Sequence, residues 1–338
     1  MRLLHRPMGP KDVKNCAALL ASHPEERRRY GDVLKVVPEA WLTLLRNECM
    51  QGMVLEDQDW TPSKLVSCGI SVFVTDEFVR ELKAGPLGWI GPELTQRALR
   101  GDTCFLRPDA VRKANSHGGL NLLVWAGLAC PAKPEDFNAV AMEVMRSFWE
   151  NHEGYWLKEI LTQPNEIEPI RFTLNSGMAV WDPLSATYKD GLSPIGEYHF
   201  QSPFLLAATR ETSLPQIGSR TSMFFMNRRP KIFFRPGEQR LLLSALRGLT
   251  DEELADELTI SLSGVKKTWQ AIYRRASRIL PGTLSAAESN GEAASKRGKE
   301  KKQRLLSYLR DHREELRPVL PSGGASRTQA AEENYTDQ

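Results

Sequence analysis

The densest group of side chains suited to recognition chemistry lies near the C-terminus: Ser261, Ser263, Lys266, Lys267, Gln270, Arg274 and Arg275, with Gly264 among them. Hydroxyls, an amide and four cations at this spacing can hydrogen-bond base edges and neutralise phosphates. Upstream, Arg228, Arg229 and Lys231 form a basic arm of the kind that touches phosphate or a minor groove. Charge supports this chemistry. From Arg228 to Arg310 there are 18 Lys/Arg against 9 Asp/Glu, a balance of +9, whereas the 338-residue chain is +3 and the remainder therefore −6. A phosphate-binding module on an otherwise acidic protein has this asymmetry, because neutralising the backbone supplies most non-specific affinity for nucleic acid. Bond-making chemistry finds no comparable group. The histidines His5, His23, His117, His152, His199 and His312 stand apart, the five cysteines are scattered with no C-x-x-C pair, and no Ser or Cys sits in a nucleophile elbow. The sequence therefore assigns no catalytic residue, no cofactor ligand and no metal ligand.

The recognition residues need a helix to carry them. Pro236 suits a first helical position, and Leu241, Leu242, Ala245 and Leu246 repeat at helical spacing until Gly248. Thr250 with Glu253 makes a capping-box pattern for a second helix with Leu254, Ala255 and Leu258 inward. Ser261 then caps a third, whose inward face is Val265, Trp269, Ile272 and Ala276 and whose outer face is cationic and polar. Two helices around a short turn, the second presenting such a face, form a helix-turn-helix, which sets its second helix in the major groove.

Pro236-Gly-Glu-Gln-Arg-Leu-Leu242, Gly248-Leu-Thr-Asp-Glu-Glu-Leu-Ala255, Leu258-Thr-Ile-Ser261, Val265-Lys266 and Ile272-Tyr-Arg-Arg275 together resemble the LuxR-type DNA-binding domain, without a gap over about 45 residues. The resemblance implies a transcriptional regulator with double-stranded DNA as partner; a homodimer and RNA polymerase are the further partners it allows. Gly264, Thr268, Arg235 and Ala276 depart from the family pattern, which bears on sequence preference.

Upstream, the pattern is mixed. A strand, a turn at Pro7–Lys11 and a helix with Val13, Cys16, Leu19 and Leu20 open the chain. Strands follow over Gly52–Glu56 and Leu65–Val74, and a short helix starts at Thr75. Asn121–Ala129 is the most apolar strand and belongs in mid-sheet, and a long helix is expected from Phe137 to Gln163 with Val140, Val144, Phe148, Trp156 and Ile160 inward. A strand pair is expected over Ile170–Asp182, and strands over Phe204–Ala208 and Met223–Met226. Arg6-Pro7-Met8 with Asp12-Val13, and the apolar strand after paired helices, resemble the GNAT acetyltransferase fold. That family follows its central strand with a Gln/Arg-x-x-Gly-x-Gly/Ala loop whose N–H groups hold the coenzyme A diphosphate. Here the chain reads Cys130-Pro-Ala-Lys-Pro-Glu-Asp136, in which two prolines remove donors and two acids repel an anion. The expectation is therefore a domain without an enzymatic reaction and without a cofactor.

Hydrophobic residues at 41% and charged residues at 26% describe an ordinary globular chain. Its start is too short an apolar run for a signal peptide, and nowhere do 18 apolar residues follow one another, so the expected location is the cytoplasm, with no membrane partner. The expected architecture is an α/β (α+β) GNAT-like domain with a mixed sheet over residues 1–227, an all-α helix-turn-helix over 228–282, and a linker, basic helix and disordered end over 283–338. The main functional expectation is a DNA-binding regulator. The alternatives are a divergent N-acetyltransferase carrying a DNA-targeting module, and a sigma-like helix-turn-helix that docks on polymerase.

Overall fold

The computed structural model describes residues 2–62, 64–84, 88–130, 133–164, 167–181, 205–216, 218–226, 228–280 and 294–320. Two compact units divide the chain, Met1–Arg228 and Arg229–Gln338.

The first unit runs β1 (Leu3–Pro7), α1 (Val13–Ser22), α2 (Pro24–Tyr30), α3 (Val37–Arg46), β2 (Met50–Asp57), β3 (Lys64–Val74), α4 (Asp76–Ala84), α5 (Ile90–Leu99) and α6 (Pro108–Ser116). It continues with β4 (Leu120–Ala129), α7 (Phe137–His152), β5 (Leu157–Thr162), α8 (Ile167–Asn175), β6 (Ala179–Trp181), β7 (Leu205–Thr209), α9 (Arg210–Ser213) and α10 (Arg220–Met223). The strands lie in the order β1-β2-β3-β4-β5-β7-β6. All neighbours are antiparallel except β4 and β5, which are parallel and joined through α7. The apolar run of β4 puts it in the middle, because both its faces are covered. Leu123 joins Cys16, Leu20, Trp41, Ile70, Val72 and Leu161 on one face. Leu120 and Leu122 join Phe73, Tyr155, Leu157, Ile160 and Phe224 on the other. The sheet is thus a middle layer between α1, α3 and α5 on one side and α6 and α7 on the other. Arg6 donates to both oxygens of Asp12, at 2.7 and 2.8 Å, fixing β1 to the start of α1 and holding the Asp12 carboxyl below its usual range.

Three expectations are corrected. The helix from Phe137 stops at His152, because Gly154 takes a left-handed φ of 90° and turns the chain into β5. Trp156 and Ile160 therefore belong to the sheet side of that turn, not to the helix. The first strand over Ile170–Asp182 is replaced by α8, which ends before Gly177 at φ 101°, and only Ala179–Trp181 is extended. Met223–Met226 closes α10 instead of forming a strand. Helix α6, with Pro108 at its first turn and Asp109 beside its N-terminal dipole, carries Arg112 and Lys113, which read as loop residues in the sequence. The segment from Asp182 to Phe204 lies outside the described residues.

The second unit holds α11 (Pro236–Leu246), α12 (Asp251–Leu258), α13 (Leu262–Ile279) and α14 (Ala294–Asp311). Thr250 Oγ1 accepts from Glu253 N at 3.2 Å while Glu253 Oε2 accepts from Thr250 N at 2.8 Å, closing the capping box. Thr259, at φ 54°, makes the left-handed turn, and Ser261 Oγ accepts from Gly264 N at 3.1 Å to start α13. Leu305, Leu306 and Leu309 of α14, with Leu316 beyond it, share one core with Leu241, Leu242, Leu254, Val265, Trp269 and Ile272. Glu315, 1% exposed, accepts from Lys231 N and Ile232 N at 2.9 Å each, and Gln239 Nε2 donates to Arg317 O at 2.8 Å. The late helix is thereby part of the body that α11 to α13 build.

Candidate functional site

In the first unit the sheet offers one unusual piece of backbone. β4 pairs with β3 from Asn121 opposite Val74 to Ala129 opposite Ser67, but with β5 only from Leu120 opposite Leu157 to Val124 opposite Thr162. Among the described residues, the β5-facing edge from Trp125 to Ala129 therefore has no strand partner. Peptide groups on such an edge accept an extended chain that carries amides. The edge begins at a bulge, since Ile70 pairs with Ala126 and Ser71 with Val124, leaving Trp125 unopposed. Trp125 is fixed on the helical side: its Nε1 donates to Tyr30 Oη at 2.9 Å, its ring lies 6.4 Å from Phe105 and edge-on to Trp41 at 6.2 Å. Burial pushes the Tyr30 phenol far above its usual range, so it stays protonated. Gly91 is needed here, because any Cβ would collide with the Tyr30 hydroxyl.

Past the edge, Lys133 and Glu135 are exposed, Pro134–Asp136 makes a 3-10 turn, and α7 starts without a side-chain cap. Pro131 and Ala132 lie outside the described residues. Beside the end of β5, a cavity of about 480 Å³ opens between α2, α4 and α5, lined by Arg29, Phe78, Trp89, Glu93, Gln96 and Arg97 among others. Arg29 stacks over Trp89 at 4.4 Å and donates to Gln163 Oε1 at 3.2 Å, while Gln163 Nε2 donates to Gly88 O at 3.0 Å. Gln163 directly follows Thr162, so the cavity abuts the point where β4 and β5 part.

Ser71 and His152 are a pair no spacing could reveal, being 81 residues apart. The Phe148 carbonyl can only accept, so His152 Nδ1, 2.8 Å away, carries a proton and leaves Nε2 to accept from Ser71 Oγ at 2.7 Å. A nucleophile and base have this arrangement. Here both residues are at most 3% exposed under α7, so the pair serves the core instead of a substrate. Among the described residues no group of three or more His, Cys, Asp or Glu could hold a metal ion, and no helix is long and apolar enough to cross a membrane.

In the second unit, Val265, Trp269, Ile272 and Ala276 are buried, and Ser263, Lys266, Lys267, Gln270 and Arg274 are exposed on the opposite side of α13. Ser261 spends its oxygen on the helix cap and also lies 2.9 Å from Ser263 Oγ. Gly264 is half-buried in the first turn. Arg275 departs from this group: its Nε donates to Glu238 Oε2 at 3.0 Å, which turns it to α11 and away from the exposed face. Arg228, Arg229 and the Lys231 side chain are exposed on the connecting segment. Asp251 Oδ1 accepts from Trp269 Nε1 at 3.2 Å and from Lys302 Nζ at 2.9 Å.

No protein-family model and no curated protein matches the chain. Solved structures do. The chain is similar to the C-terminal condensation domain of Ebony in complex with beta-alanyl-dopamine, at 12% identity and a TM-score of 0.35 over 62% of this chain and 99% of that one. It is similar to FeeM, an N-acyl amino acid synthase from uncultured soil microbes, at 12% identity and 0.35 over 63% and 96%. A polyamine N-acetyltransferase of Drosophila melanogaster gives 15% and 0.33 over 62% and 100%. The expectation of a domain without an enzymatic reaction is corrected on this finding, since these neighbours are named as synthase or transferase. The mixed sheet flanked by helices stands for the N-terminal part on its own topology; none of these likenesses speaks for a LuxR-type domain.

Proposed function

We propose that the protein is an acyltransferase of GNAT-like fold joined to a helix-turn-helix that targets it to DNA. The observation that carries the reading is the β4 edge Trp125–Ala129, without a strand partner among the described residues, beside the parting of two parallel strands. A pantetheine arm bears two amides in an extended chain, and such a chain can continue the ladder where β5 leaves off. The bulge at Trp125 fixes where the thioester end of that chain stops. The cavity lined by Arg29, Trp89, Glu93 and Arg97 then takes the acceptor, with charges of both signs to orient it. Coenzyme A would supply the activated acyl group. Its diphosphate is poorly served, because Pro134 offers no N–H and Glu135 with Asp136 stands beside it. Affinity on this reading rests on the arm.

Calorimetry on the full chain tests the donor half. Acetyl-coenzyme A and S-acetylpantetheine are expected to bind within about tenfold of each other, since one unassisted charged contact contributes about 1 kcal/mol or less. Absence of heat from both at millimolar concentration sinks the acyltransferase reading.

The DNA half is supported by the exposed face of α13, by the local charge of +9 and by the sequence resemblance to LuxR-type domains. Lys266, Lys267, Gln270 and Arg274 then face the groove, with Arg228, Arg229 and Lys231 on the approach. Lys267→Ala is expected to weaken binding to all duplex sequences and to make the slope of log affinity against log salt shallower by about 1. An unchanged slope removes Lys267 from the interface.

A further inference from the structure

We propose that α14 is a second DNA-contacting element, in which Lys301 reaches a phosphate alongside the contacts made by α13. This rests on the DNA-targeting reading and adds to it an interface that the helix-turn-helix pattern does not contain.

The placement comes from two aromatic faces. Lys301 Nζ lies 5.2 Å from the centre of the Tyr273 ring, and Lys302 Nζ lies 4.9 Å from the centre of the Trp269 ring. Those two rings are themselves stacked, 5.5 Å apart, along one flank of α13. Lys266 precedes Tyr273 by two helical turns and so shares that flank, at the rim of the exposed face. α14 therefore lays Lys301 and Lys302 against that flank of α13.

Pairing separates the cations of this unit into two sets. Lys302 is matched by Asp251, Arg275 by Glu238, Arg247 by Glu257 and Arg304 by Glu300. Among the described residues, Lys266, Lys267, Arg274, Lys301, Arg240, Arg278 and Arg310 have no carboxylate partner, and the first four lie on or beside one side of α13. Uncompensated positive charge gathered along one surface complements a polyanion, and duplex DNA presents a charge about every 1.7 Å of axis.

The test is a salt titration of the full chain with a short random duplex. Lys301→Gln is expected to make the slope of log affinity against log salt shallower by about 0.9 and to weaken binding a few-fold on every sequence alike. Lys301→Arg is expected to keep the wild-type slope, and both variants to keep the wild-type thermal midpoint. A wild-type slope in Lys301→Gln overturns the inference. If Lys267→Ala lowers the slope and Lys301→Gln does not, the inference alone falls. If the unaltered chain binds no duplex, the DNA reading falls and takes the inference with it. Loss of binding in both Lys301→Gln and Lys301→Arg assigns Lys301 to packing on Tyr273 and also overturns it.

Discussion

Trp269→Ala is expected to destabilise the C-terminal unit by about 3–5 kcal/mol, enough to unfold a small helical body of ordinary stability. The side chain is 5% exposed and fills the centre of the core that α11, α13 and α14 share. Truncation also removes the Nε1 donor to Asp251 and the ring over which Lys302 sits. Asp251 and Lys302 keep each other at 2.9 Å, so the loss comes chiefly from the cavity and not from an orphaned charge. Hydrogen exchange followed in full-length protein reads the effect directly: amides of α13 should lose most of their protection while those of β3 and β4 keep theirs. A loss below about 1 kcal/mol would mean that Trp269 lies outside the core.

Glu315→Ala is expected to cost about 2–5 kcal/mol, through a different mechanism. One carboxylate satisfies two backbone donors, Lys231 N and Ile232 N, and Ile232 is 3% exposed. Removing the acceptor strands the buried Ile232 N–H and the part-buried Lys231 N–H, at about 1–3 kcal/mol for each donor that water does not reach. Burial, the largest influence, pushes the Glu315 carboxyl above its ordinary value of 4.5, while the two N–H groups pull it back part of the way. A carboxyl raised in the folded state stabilises fully below its unfolded value and loses that contribution as pH rises through the folded one. Thermal melts should therefore show a decline in midpoint as pH rises from about 4.5 that is absent in Glu315→Ala. A variant as stable as the parent would mean that the Lys231–Ile232 amides find water instead.

The helices of the C-terminal unit were legible because each carries its own punctuation: Pro236 to start, Thr250 with Glu253 to cap, Ser261 to restart, and a 3.6-residue repeat between them. The docking of α14 was not, since Glu315 reaches across 83 residues to Ile232 and nothing in either segment announces it. In the first unit, β4 was legible from its unbroken apolar run. β5 was misread because Trp156 and Ile160 fall at helical intervals from Val140, Val144 and Phe148, and Gly154 was given no weight as a stop. The proposed acyl site draws on a feature that residue types do not announce. Side-chain types at Pro131 and Pro134 argued against it, whereas the open edge at Trp125–Ala129 is a property of backbone register that no residue type encodes. Arg275 looked like its neighbour Arg274, and only the position of Glu238 separates them.

The sharing of one core by α11 and Leu316 sets an order of events during synthesis. Leu241 and Leu242 leave the ribosome some seventy residues before Leu309 and Leu316 do, so their apolar surface waits for its cover while that stretch is made. At about 5–20 residues per second the wait lasts several seconds, long against the microseconds in which helices form. The nascent three-helix segment is thus assembled before it is sealed, a window in which holdase chaperones or an early stop codon would act on α11 to α13 and leave the already completed sheet untouched.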